Sequence, residues 1–131
     1  MQFPKEWPQF FTATIHQWKP CLTDNKCKDI IIECLQTMVH KKQIELNAFA
    51  ILNNHVHVIW QPLGIYSPAQ IHSSFTNFTG KQIKNILAQH QPTLLEEMRS
   101  KNLNRVYQIW KRRSLSIELS SEAVFEQKLD Y

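Results

Sequence analysis

The sequence predicts an α+β domain. It reads as a ferredoxin-like split β-α-β-β-α-β chain, with an antiparallel sheet, helices on one face and a further helix at the C-terminus. Three observations predict it. An apolar stripe of helical period follows Thr23-Asp24. Two strand-like runs, 44–51 and 55–61, are separated only by Leu52-Asn53-Asn54. A second helical stripe opens at Ser67-Pro68.

The elements follow in order. Residues 10–16, Phe-Phe-Thr-Ala-Thr-Ile-His, are aromatic and β-branched and read as the first strand. Thr23-Asp24 then supplies a helix start. Behind it Cys27, Ile30, Ile31, Cys34, Leu35, Met38 and Val39 recur at helical spacing, predicting an amphipathic helix to about His40. Lys41-Lys42 follow as cations suited to a helix C-terminus. Ile44 to Ile51 and His55 to Gln61 predict two strands joined by a short hairpin link. Ser67 is an N-cap, and Pro68 fits the first helical position. Ile71, Phe75, Phe78, Ile83, Ile86 and Leu87 continue that helix, which ends before Pro92. Gly80 interrupts it at a cost of ~1 kcal/mol relative to alanine. Val106 to Trp110 and Leu115 to Leu119 are short strand candidates flanking Lys111-Arg112-Arg113. Ser120-Ser121 can cap a last helix bearing Phe125, Leu129 and Tyr131.

Composition narrows the function classes. A chain of 131 residues, 43% apolar, makes one domain with a real core. Its two glycines argue against Gly-rich phosphate loops. No run approaches the ~18 apolar residues of a membrane helix, so no membrane partner is expected. The N-terminus has no signal-peptide pattern, and Cys21, Cys27 and Cys34 form no CxxC, which predicts a cytoplasmic protein using cysteine as a small hydrophobe. The net charge of +4 permits nucleic-acid binding without demanding it.

The informative segment is Ile51-Leu-Asn-Asn-His-Val-His-Val-Ile-Trp60. Side chains alternate along a strand, so His55, His57 and Ile59 share one face, and Val56, Val58 and Trp60 face the core. The two imidazoles stand about 7 Å apart along the strand. They can converge on one metal ion; a bare His-x-His is also the pattern of an ordinary surface pair.

Asn54-His55-Val56-His57 at the head of a strand resembles the HUH motif of the single-tyrosine HUH transposases, the insertion-sequence type and the REP-associated tyrosine transposases. The resemblance covers the chain from about residue 10 to its end. Residues 48–60 are similar to that family's second strand, turn and metal strand, and Ser73 to Thr79 to the start of its second long helix. Ile109-Trp-Lys-Arg-Arg113 resembles its Trp-Gln-Arg segment. Phe125 to Tyr131 resembles its tyrosine-bearing helix.

The resemblance implies a metal-dependent transposase that cleaves and rejoins single-stranded or hairpin DNA through a 5′-phosphotyrosine. His55 and His57 would hold Mg²⁺ or Mn²⁺, and Tyr131 would attack the phosphorus. A phenol, with a pKa of ~10, is a weak nucleophile near neutral pH and gains from a nearby metal or base. Metal on the phosphate oxygens offsets transition-state charge. On helical geometry Tyr131 lies off the Phe125/Leu129 stripe. The family often works as a dimer, which admits a homodimer here, although the sequence carries no interface signature.

Departures accompany the likeness. The family helix continues past its tyrosine and supplies an amide four residues later as third metal ligand. This sequence stops at Tyr131, so the single domain 1–131 reads as truncated in its last helix. Gln127, on the same helical face, is the available stand-in. Asn53 replaces a proline before the motif, and Ser114-Leu115 replaces an aromatic. A non-catalytic remnant that binds hairpin DNA is therefore the alternative, and a small hydrolase using His55 and His57 to activate water is a third. For DNA binding, Lys111, Arg112 and Arg113 are the best cationic cluster, with Lys81 and Lys84 together on one helix face. Trp110 is either a base contact or a core residue.

Overall fold

A computed structural model describes residues 7–100, 106–119 and 127–128 of the chain. Among them β1 (Gln9–Thr14) leads through two short 3-10 turns into α1 (Asn25–His40). Then come β2 (Ile44–Ile51), β3 (His55–Pro62), α2 (Pro68–His90), α3 (Pro92–Glu96) and β4 (Leu115–Glu118). The sheet order is β2-β3-β1-β4, all antiparallel. β3 thus lies between β1 and β2, which α1 connects, and this is the split β-α-β arrangement the sequence predicts.

Local chemistry sets each helix start. The Asp24 carboxylate accepts from the Lys26 amide at 2.8 Å and caps α1. Ser67 and Gln70 form a reciprocal capping box at α2, with Pro68 in the first turn. Such caps are worth about 1 kcal/mol each. Cys27, Ile31, Cys34, Leu35 and Met38 of α1 are buried, as are Ile71, Phe75, Ile83 and Leu87 of α2. These stripes meet Phe11, Ala13, Val56, Val58 and Trp60 from one face of the sheet. Burial pushes the Cys21 and Cys34 thiols up to about 11 and Cys27 to about 12, as expected of cysteines used for packing.

The other face of the sheet carries a smaller apolar cluster of Phe10, Ile59 and Leu119, with Ala48 and Ile117 against it. A bulge in β2 between Leu46 and Ala48 shifts the register, so that Ala48 and Ala50 pair with Ile59 and His57 on that face.

Three details differ from the sequence reading. Val106 to Trp110 is no strand: it makes only the isolated bridges Arg99↔Tyr107 and Ile15↔Trp110. The short α3 begins at Pro92, where the sequence showed only a stop; a proline that cannot extend one helix suits the first turn of the next. The last strand ends at Glu118, one residue short of Leu119. Of the C-terminal helix, residues 127–128 are helical, while Tyr131 lies outside the described residues. Among those described, no helix is long and apolar enough to cross a membrane.

Candidate metal and nucleic-acid site

The register of the sheet builds the histidine pair. Thr12 lies opposite His57 and Thr14 opposite His55 across β1 and β3. Both imidazoles are half-buried on the face away from α1 and α2. Their ring centroids are 4.8 Å apart at an interplanar angle of 78°, closer than the backbone repeat alone provides.

Each ring is oriented through Nδ1. His55 Nδ1–H donates to Asn54 Oδ1 at 2.7 Å. A carboxamide oxygen only accepts, so the neutral ring carries its lone pair on Nε2. His57 Nδ1 lies 2.8 Å from Thr12 Oγ1, a hydroxyl that can accept from Nδ1–H or donate to a bare Nδ1, so this contact orients the ring without fixing its tautomer. Phe10 stacks on His57 at 5.3 Å. Burial first, and the neighbouring His55 second, hold the His57 pKa below its ordinary value, which favours the neutral ligating form.

The donor set fits a divalent ion bound through two protein ligands. Outer hydrogen bonds of this kind normally orient metal-bound imidazoles. Among the described residues no group of three His, Cys, Asp or Glu is placed to hold a metal. The remaining positions would fall to water and substrate oxygen; two imidazoles suit a transition ion better than Mg²⁺, which more often takes carboxylate and water oxygen. The histidines line a hollow of about 450 Å³ with Phe10, Ala48, Ile59 and Lys128. The Lys128 ammonium lies 5.2 Å from the Phe10 ring centroid, so the helical pair Gln127-Lys128 sits on the histidine face of the sheet.

A second and larger hollow, about 800 Å³, separates α2 from the segment 107–114. It gathers most of the cations the sequence singled out: Lys81 and Lys84 from α2, and Lys111 and Arg112 from the opposite wall. All four are exposed. Arg113 is exposed too, but it does not line this groove.

Trp110 resolves to the core. It is 7% exposed, and its indole N–H donates to Thr79 Oγ1 at 3.0 Å. The Thr79 hydroxyl in turn donates to the Phe75 carbonyl at 2.6 Å. Trp110 forms groove wall, and with so little of it exposed it offers no open ring face for a base.

Other residues at the site were not singled out in the sequence. Thr12 is found only through the β1–β3 register. Asn54 was visible as part of the motif, but not as a link: its Nδ2 donates to the Trp18 carbonyl at 3.3 Å while its Oδ1 holds His55. Gln17 and Trp18 both have positive φ, 55° and 54°. That conformation costs roughly 1–2 kcal/mol per residue for side chains other than glycine, and no composition signal marked it.

No family model and no curated protein matches the chain. Solved structures do. A REP-associated tyrosine transposase bound to a REP hairpin superposes on all of this chain and 67% of its own, with a TM-score of 0.64 and 18% identity. A candidate transposase from Deinococcus radiodurans matches all of this chain and 93% of its own, with a TM-score of 0.61 and 10% identity. At these identities the likeness is one of fold, and it extends over the full chain.

Proposed function

We propose that this chain is an HUH-type strand-transfer domain that cleaves and rejoins single-stranded or hairpin DNA. The observation that carries the reading is the convergence of His55 and His57, each oriented through Nδ1, on a sheet face that Lys128 also reaches. Tyr131 follows Lys128 by three residues in the sequence. The fold shared with a tyrosine transposase bound to hairpin DNA supports the same reading.

In this mechanism His55 and His57 would hold Mg²⁺ or Mn²⁺, with Asn54 and Thr12 orienting the two rings. A divalent ion held there would supply polarisation of the scissile phosphate and offset developing negative charge. The Tyr131 hydroxyl attacks the phosphorus. The bond from phosphorus to the 3′ oxygen breaks, and that strand leaves as a free hydroxyl, its oxygen gaining the proton the phenol gives up. The 5′ phosphate stays on the tyrosine, which conserves the bond for rejoining. Lys81, Lys84, Lys111 and Arg112 bind backbone phosphates away from the reacting centre, with Arg113 beside them.

The test is a labelled single-stranded hairpin DNA incubated with the protein and Mn²⁺. A denaturation-resistant protein–DNA adduct is expected, lost with chelator and in Tyr131→Phe, and reduced at least tenfold in His57→Ala. An undiminished adduct in Tyr131→Phe would remove the tyrosine from the mechanism. Salt-sensitive binding with no adduct under any divalent ion would instead establish a non-catalytic hairpin-binding module. The groove is what favours that second reading: its cations are independent of the histidines, so binding does not require the metal.

A further inference from the structure

Trp18 is the most exposed of the large aromatic side chains among the described residues, ahead of Trp7, Phe78 and Phe49, and neither the fold nor the proposed chemistry uses it. It is 62% exposed, an unusual setting for the largest apolar side chain. Its backbone and that of Gln17 are both left-handed, and strain of this kind clusters where a side chain must be presented in a set direction. His16 N–H donates to the Ile109 carbonyl at 2.8 Å, and Lys111 N–H to the Thr14 carbonyl at 2.7 Å. Those bonds tie the Trp18 turn to the far wall of the basic groove, which His16 and Gln17 also line. They bring the Lys111 ammonium to 4.9 Å from the Trp18 ring centroid. The Trp18 carbonyl is gripped by Asn54, the residue that orients His55.

We propose that Trp18 is a nucleobase platform at the mouth of the basic groove, on which one base of a single-stranded DNA segment stacks. The inference rests on the DNA-binding part of the proposed function and adds to it the site that takes an unpaired base. Lys111 covers part of the indole as a cation and is close enough to pair with the phosphate of the stacked nucleotide. Stacking is tolerant of base identity because every base has a π-face. Through Asn54 the platform and the histidine pair form one hydrogen-bonded unit, so a base held on Trp18 is held at a fixed offset from His55. Trp18 thereby selects DNA with an unpaired flank over a fully paired stem.

The experiment measures affinity for two labelled probes, a DNA hairpin with a short oligothymidylate flank and the same hairpin with a blunt end. Trp18→Ala is expected to weaken binding to the flanked probe about ten- to a hundredfold, and Trp18→Phe by less than about fivefold. The blunt probe should change by less than about twofold in either variant. Because a stacked base releases no counterion, the salt dependence should be unchanged in Trp18→Ala and should lose about one contact in Lys111→Ala. Both Trp18 variants replace an exposed side chain, and matching circular dichroism melts check that they fold. If Trp18→Ala binds the flanked probe as tightly as the wild type, the platform is overturned and the DNA-binding reading stands. An equal loss on both probes overturns it too, because the effect would not be specific to an unpaired base. Should the wild type bind neither probe, the DNA-binding reading fails and takes the platform with it.

Discussion

His72 shows how one side chain can join elements of the fold and still carry a cost. It lies on α2, stacks on Phe11 at 4.5 Å, and approaches Ser116 Oγ of β4 through Nε2 at 3.5 Å. The Ser116 hydroxyl donates to Gln9 Oε1 at 3.1 Å. With its proton directed at Gln9, the Ser116 oxygen is left to accept from His72 Nε2–H. Burial lowers the His72 pKa from its ordinary 6.5. The unfolded chain then takes up the proton first as the pH falls, so acid favours unfolding. The thermal midpoint should stay flat above about pH 7, decline as the pH drops through 6.5, and level off once the folded-state pKa is passed. Melting curves across that range should show a smaller acid decline in His72→Asn, which cannot take up the proton. A decline of equal size in the variant would assign the pH dependence to other groups. His57, shifted in the same direction by burial and by His55, contributes to what remains.

Among the elements, α2 holds the clearest test of packing against intrinsic preference. A glycine in the middle of a helix gives up ~1 kcal/mol relative to alanine. Gly80 sits where a Cβ would meet Trp110 Cδ1 at 3.4 Å and Nε1 at 3.7 Å, both tolerable contacts. Gly80→Ala should therefore recover most of the helix preference and raise the thermal midpoint by roughly 3 °C, measured by calorimetry. A lower midpoint would mean that contact with the Trp110 ring outweighs the gain in helix preference. The same helix shows how far sequence reading reaches. Its start was legible in Ser67-Pro68 and its buried face in the spacing of Ile71, Phe75, Ile83 and Leu87, because caps and periodicity are local. β2 and β3 were legible for the same reason, and so was the face that His55 and His57 share. Val106 to Trp110 has strand-like residues but becomes a bridged loop, since Trp110 is drawn to Thr79 on α2 rather than into the sheet. The partners that make the histidines a site were not legible. Thr12 is 45 residues from His57, and Trp18 is 36 from Asn54, so only the folded register brings them together.

At the scale of the whole molecule, the sheet and its helices separate charge from candidate chemistry. The histidine pair occupies the sheet face away from α1 and α2, while Lys81, Lys84, Lys111 and Arg112 line a groove between α2 and the 107–114 segment. The net charge of +4 is modest, so in the proposed function the electrostatic attraction for DNA would come from this local concentration rather than from the protein as a whole. Each cation that neutralises a phosphate releases condensed counterions, giving a salt slope of about −0.7 per contact on a single strand and about −0.9 on a duplex. If all four groove cations engage hairpin DNA, log K against log salt should fall with a slope of roughly −3 to −4. Replacing Lys81, Lys84 and Lys111 together by glutamine should reduce the slope to about −1 and weaken binding mainly at low salt. His55→Ala with His57→Ala should leave that slope unchanged, while abolishing uptake of Mn²⁺ measured by calorimetry in the absence of DNA. A common loss of slope in both sets of variants would mean that one surface serves both purposes, contrary to the proposal that phosphate and metal are bound at separate hollows linked through Trp18 and Asn54.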